Sequence, residues 1–180
     1  MNYLFKFLLT INSLSLSLIV FLIKDGMVMN SLHHNLSNLP ALISYTLYFV
    51  IIILFTFAIL LLIRFLDTDV IEPGSLVSIE PANDAFLPSY LGYFFVALSV
   101  PNFEIFIAVF SIIGIFIFSS RISYFNPIFF LFRYYFYYVK TNDCNKILLI
   151  SKRILKNPKK LSFNKIKRIN DYTFIDIGGD

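Results

Sequence analysis

The stretch ISYFNPIFFLFRYYFYYVK, residues Ile122–Lys140, decides how the rest of the chain is arranged. It is long and apolar enough to be taken for a membrane span, yet Asn126-Pro127 interrupts it and Arg133 stands in its middle. The chain beyond it is basic. Of the 15 Lys and Arg, only Lys6, Lys24 and Arg64 precede residue 121, and the other 12 lie between Arg121 and Arg168. A fifth crossing would carry that tail outward, against the positive-inside rule. The pattern therefore predicts an interfacial segment over 121–140. Tyr124, Tyr134, Tyr135, Tyr137 and Tyr138 would lie at headgroup level, with Arg121, Arg133 and Lys140 on phosphate. Both termini are then cytoplasmic.

The composition agrees with a membrane setting. The chain has 180 residues, 58% of them hydrophobic and 14% charged, with a mean hydropathy of +0.76. Soluble domains carry about 25% charged residues, so the chain reads as a polytopic membrane protein. One cysteine, Cys144, excludes an intrachain disulfide and a cysteine-cluster metal site.

Upstream, Phe7–Ile23 comes after Lys6 and is not succeeded by a small-x-small cleavage site, which predicts a retained anchor. Thr10, Ser13 and Ser17 share one face of it, as a helix-packing stripe. His33 and His34, in the loop over 24–40, are adjacent and lack a third ligand at metal spacing, so they read as loop residues. Residues 41–63 contain no charge, are closed by Arg64, and are long enough to cross. Residues 86–100 and 105–119 form a hairpin broken at Pro101, each arm about 23 Å long against a hydrocarbon core of about 30 Å. Two outcomes stand: both arms cross a thinned bilayer, or they form a re-entrant pair. The expected fold is an all-α transmembrane bundle of about four helices over 1–120, with a short third/fourth hairpin. The interfacial segment 121–140 and a basic cytoplasmic tail over 141–180 complete it.

The polar parts carry the functional expectations. Asp67, Asp69, Glu72, Glu80 and Asp84 make 65–85 an acidic loop. It is either a solvated linker or a docking surface for a basic partner, such as the chain's own tail. Glu104 lies at the hairpin tip, where copies of the chain could form an outer ring. In the tail, Asp143 would cap a helix running to Asn157-Pro158, with Ile147, Ile150 and Ile154 on one face. Lys159, Lys160, Lys165, Lys167 and Arg168 would contact anionic lipid or a partner. Tyr172 and Phe174 would anchor a soluble partner by adding an edge strand. No glycine-rich phosphate loop, His-Glu metal motif or nucleophile–base spacing occurs, so neither an enzyme nor a cofactor is expected.

Two stretches carry a resemblance: IEPANDAFLPSYLGYFFVALSVP, Ile79–Pro101, and KKLSFNKIKRINDYTFIDIG, Lys159–Gly178. They resemble the KwaA family, the membrane subunits of the bacterial Kiwa anti-phage defence system, and the likeness runs over most of the chain. The resemblance implies a multi-pass inner-membrane sensor and scaffold that detects infection. It would recruit or regulate a cytosolic, nucleic-acid-binding, KwaB-like effector, without touching nucleic acid itself. Two readings from other classes stand beside it. One is a homo-oligomeric pore-forming effector, with Glu104 in its vestibule. The other is a membrane assembly factor that binds lipid through the basic tail.

Overall fold

Helices occupy the first two thirds of the chain and strands most of the rest in the computed structural model, which describes residues 3–28, 40–119, 126–142, 145–158 and 161–178. The helices are α1 (Tyr3–Lys24), α2 (Ala41–Leu62, extended by a 3-10 turn at Ile63–Phe65), α3 (Asn83–Ser99), α4 (Phe103–Ser119) and the short α5 (Ile128–Leu131). Strands are β1 (Thr68–Ile71), β2 (Leu76–Pro81), β3 (Tyr135–Thr141), β4 (Lys146–Ser151), β5 (Phe163–Asn170) and β6 (Thr173–Asp176).

α1 is the centre of the bundle and packs against α2, α3 and α4. The break between α3 and α4 has the expected cause. Val100 is extended, as a residue before proline must be, and the Asn102 side chain caps α4 by accepting from the Ile105 N–H at 2.9 Å. α3 begins at Asn83, with Ala82 alone between it and β2, so Pro88 lies inside the helix.

The all-α fold is overturned by a six-stranded mixed sheet in the order β1-β5-β6-β4-β3-β2. Only β4 and β6 run parallel; the other pairs are antiparallel. Edge strands β1 and β2 are neighbours in sequence. In a flat sheet five spacings would part them by about 24 Å. Ile71 and Leu76 can be at most about 18 Å apart even fully extended. A turn shortens the reach further: the Ser75 N–H donates to the Glu72 carbonyl at 3.3 Å, with Gly74 at φ +80° where a type II turn needs glycine. The sheet must therefore curl until β1 and β2 meet as two halves of one strand, bent at Pro73-Gly74. Counted so, the ring closes in the order 1-2-3-5-4 and back to 1, third and fifth strands parallel. That is the Greek-key order of an OB-type barrel.

Alternation along the strands sorts side chains into two cores. Ile71, Leu76, Tyr137, Val139, Ile147, Leu149, Phe163, Ile166 and Phe174 fill the barrel interior. Phe136, Leu148, Ile150 and Ile175 face the other way, against Phe5, Leu9, Ile59, Ile63, Ile117 and Phe129 of the helices. The barrel thus sits on the end of the bundle where α1 begins and α2 and α4 finish.

Over 126–140 the expected interfacial segment is a short helix, a turn and a strand. Asn126 caps α5, its Oδ1 accepting from the Ile128 N–H at 2.9 Å. α5 ends in a Schellman motif: Tyr134 N–H to Phe129 carbonyl, Arg133 N–H to Phe130 carbonyl, and Arg133 left-handed at φ 62°. β3 then carries Tyr135, Tyr137 and Tyr138 in the sheet. The expected tail helix is likewise corrected. Ile147–Ser151 are buried on both faces of β4, so the run has no period-two signature, and its spacing of three mimics a helix. Asp143, Cys144, Arg121, Tyr124, His33 and His34 lie outside the described residues.

The linker after β4 is tied down by charge. Asp176, buried on β6, accepts from Ser151 Oγ at 2.7 Å and pairs with Arg153 at 2.9 Å. Breaking a buried pair strands the remaining charge, though Arg153 keeps a third of its surface in water. Asp176→Ala is expected to cost about 3 kcal/mol, read as a lowered thermal or denaturant midpoint. Burial raises the Tyr134 phenol above its usual 10.0, helped by the Asp176 carboxylate, and burial also raises Tyr137 and Tyr138. Phenols held neutral in the fold contribute stability below pH 10 that is lost as pH rises towards their folded values. Unfolding midpoints should therefore fall above about pH 10, and Tyr134→Phe should flatten that fall.

Candidate functional site

Two features of the fold bear on function: a polar node inside the helices and the charged surface of the barrel. The node centres on α1. Thr56 Oγ1 of α2 lies 2.9 Å from both Asn12 Oδ1 and the Ile52 carbonyl and shares its one proton between them, Asn126 Nδ2 donates to the Asn12 carbonyl at 2.8 Å, and Tyr90 of α3 donates to the Ser13 carbonyl at 2.9 Å. All six residues are buried. Three helices and the segment leading into β3 thus meet at one turn of α1. Asn12 Nδ2, and Ser17 Oγ further along α1, are buried without a hydrogen-bond partner among the described residues. In apolar surroundings such groups cost free energy unless paired, so the node specifies one arrangement of the helices.

The packing stripe at Thr10, Ser13 and Ser17 is buried, but the residues that join the elements are Asn12, Thr56, Tyr90 and Asn126. Sequence reading passed over them. The available signal was an Asn in an apolar span and an Asn-Pro pair in an apolar run, both expensive unless partnered.

On the barrel the acidic residues run along the closing strand. Asp67, Glu72 and Glu80 are exposed, while Asp69 is half-buried and its Oδ1 accepts from the Val70 N–H at 2.9 Å. Asp84 lies in the first turn of α3, and its side chain is outside the described part of the structure. β1 pairs with the basic strand β5, Thr68 opposite Lys167. Lys167 Nζ donates to the Leu66 carbonyl at 2.5 Å and to Thr68 Oγ1 at 2.8 Å, and the Arg168 N–H donates to the Asp67 carbonyl at 3.0 Å. The acidic segment and the tail therefore meet through main chain and one lysine. Among the described residues, Asp67, Asp69, Glu72 and Glu80 form no ion pair with the tail.

The remaining expected residues are dispersed. Lys165 is exposed on β5, Arg168 pairs with Asp171 at 2.6 Å, and Lys159 and Lys160 lie outside the described residues. Tyr172 is half-buried in the β5–β6 turn, where its N–H donates to Asn170 Oδ1 at 2.8 Å. Phe174 packs in the barrel interior. β6 has β4 on one side and β5 on the other, so both its edges are paired within the chain. Glu104 is exposed in the first turn of α4, at the end of the bundle away from the barrel. Among the described residues no three or more His, Cys, Asp or Glu come together to hold a metal.

The architecture defines a class: an apolar helical bundle with a polar node inside it and a barrel mounted on one end. The family model for the anti-phage protein KwaA matches residues 5–175, and the chain belongs to that family. It is an anti-phage defence protein. No curated protein and no solved structure matches it.

The node is testable by a double-mutant cycle on Asn12→Leu and Thr56→Val. A buried interhelical hydrogen bond in apolar surroundings is worth about 0.6–2 kcal/mol, so a coupling of about 1 kcal/mol is expected in thermal unfolding. Strictly additive effects would mean that the pair contributes nothing.

Proposed function

We propose that the chain is a non-catalytic sensor and scaffold of an anti-phage defence complex. Its helices lie in the bacterial inner membrane, and its barrel faces the cytoplasm, where it holds a nucleic-acid-binding, KwaB-like partner. The observation that carries this reading is the division of the surface. Leu54 on α2, Phe95 on α3, and Ile115 and Phe116 on α4 point outward with half or more of their surface exposed. An apolar girdle on that scale calls for lipid or protein cover. α1 and the helix over Ala41–Phe65 are long and apolar enough to cross a membrane, while α3 and α4, at about 26 Å, fit one that thins around them. The barrel carries most of the basic residues, the bias expected of a cytoplasmic side.

The partner surface is best sought on the exposed face of the closing strand. Deleting the last ten residues is a poor test, because it removes β6 and with it the barrel. Glu72→Lys with Glu80→Lys changes charge on solvated side chains alone. The chain is expected in the alkali-resistant membrane fraction and to co-purify with the product of the adjacent gene. Phage plating should drop only when both genes are present. The double charge reversal should lower co-purification by about tenfold or more while membrane levels hold, as losing complementary charge does. Full co-purification by that variant would remove the surface from the proposal. Recovery of the wild-type chain in the soluble fraction would end the membrane reading.

A further inference from the structure

α2 and α4 both pack on α1 but, among the described residues, make no substantial contact with each other. Between them runs a groove of about 860 Å³ with α1 as its floor. It extends from Phe7 to Leu18 on α1 and from Phe118 back to Phe106 on α4. At about 1.5 Å per residue that is roughly 17 Å, close to half of a hydrocarbon core of about 30 Å. The groove is therefore about half a hydrocarbon core long, and its α4 wall reaches the barrel end of the bundle at Phe118.

Its chemistry is that of a hydrocarbon slot with a charged mouth. Two of its polar lining groups are already satisfied by their own helix: Thr10 Oγ1 donates to the Lys6 carbonyl at 2.9 Å and Ser15 Oγ to the Asn12 carbonyl at 2.7 Å. Gly114 lines the α4 wall, where a Cβ would meet Leu14 Cδ1 of α1 at 3.5 Å, an ordinary contact, so a larger side chain there would take up groove space. At the mouth Lys6 Nζ lies 4.8 Å from the centre of the Phe118 ring and has no carboxylate partner among the described residues.

We infer that this groove seats one acyl chain of an anionic phospholipid from the barrel-side leaflet, with the headgroup phosphate on Lys6. The inference rests on the membrane reading proposed above. A helix of a second copy lying parallel in the groove is a worse fit. It would bring the same barrel-side cations, Lys6 and Arg64, towards Lys6, where an anion is wanted.

The test uses the full chain in membranes containing phosphatidylglycerol with a photoreactive group on its acyl chain, or the matching phosphatidylcholine. Label is expected mainly on peptides covering 7–18 and 106–118. Gly114→Leu, which fills the groove from its α4 wall, should remove most of it. Lys6→Gln should lower labelling by phosphatidylglycerol about fivefold, the factor that one lysine supplies near an anionic surface, and leave phosphatidylcholine unchanged. If Gly114→Leu fails to accumulate, the Lys6→Gln comparison decides alone. Label spread evenly over Leu91 and Phe95 of α3 and unchanged in the variants would overturn the inference. So would cross-links joining two copies through the groove. A membrane-inserted chain without groove label defeats this inference only, whereas a chain found in the soluble fraction defeats the membrane reading beneath it.

Discussion

Strand β4 carries five consecutive buried residues, Ile147–Ser151, and a strand that is apolar on both faces is stable only between two cores. Ile147 and Leu149 look into the barrel, while Leu148 and Ile150 look into the helix ends. Each such side chain contributes about 1.5–3 kcal/mol when fully buried, and half of that contribution would vanish if barrel and bundle separated. The helices therefore complete the barrel, and the barrel covers the ends of the helices. A free cytoplasmic tail tethered to a bundle is excluded by this shared wall.

Closure of the sheet has a consequence for partners. An open sheet would leave main-chain donors and acceptors on β1 and β2, and a partner could extend it by strand addition. Here the bend at Pro73-Gly74 lets β1 pair with β5 and β2 with β3, so each half of the closing strand has one edge used internally. Side chains and loops then supply most of the surface for recognition. That favours the exposed carboxylates of Asp67, Glu72 and Glu80 over the aromatic residues near the end of the chain, since Phe174 is committed to the core.

How much of this was legible in the sequence differs by element, for physical reasons. The four apolar helices were readable because a long uncharged run such as 41–63 has few alternatives, and because Val100-Pro101-Asn102 can only be a break. The strands were not. β4 is short and buried on both sides, so its apolar run fits a helix as well as a strand, and Ile147, Ile150 and Ile154 happen to sit at helical spacing. The aromatic run after Asn126 was dense enough in Tyr to look like a headgroup belt, although Tyr and Phe are also good strand formers. Nothing local marks the Greek-key order, which needs contacts between residue 68 and residue 167. The acidic loop and basic tail were noticed as complementary. Their meeting through a main-chain ladder could not be read from charge.

For a chain proposed to report an event in the envelope, the route of the signal is constrained by α1. It is the helix against which α2, α3 and α4 all pack, so a change in their spacing must be taken up along it. Halfway along, its main chain at Asn12 holds the Asn126 side chain, and eight residues later Tyr134 enters the core shared with the barrel. The polar node is short-ranged and directional, unlike the surrounding dispersion contacts, so a small rotation of α1 breaks hydrogen bonds instead of sliding past them. A packed joint with few discrete arrangements is the kind of element that turns a sub-ångström shift into a change at a distant surface. The lateral groove opens onto the same helix through Thr10 and Ser15, on either side of Asn12. Any occupant of that groove would touch the same stretch of α1 that holds the Asn126 side chain.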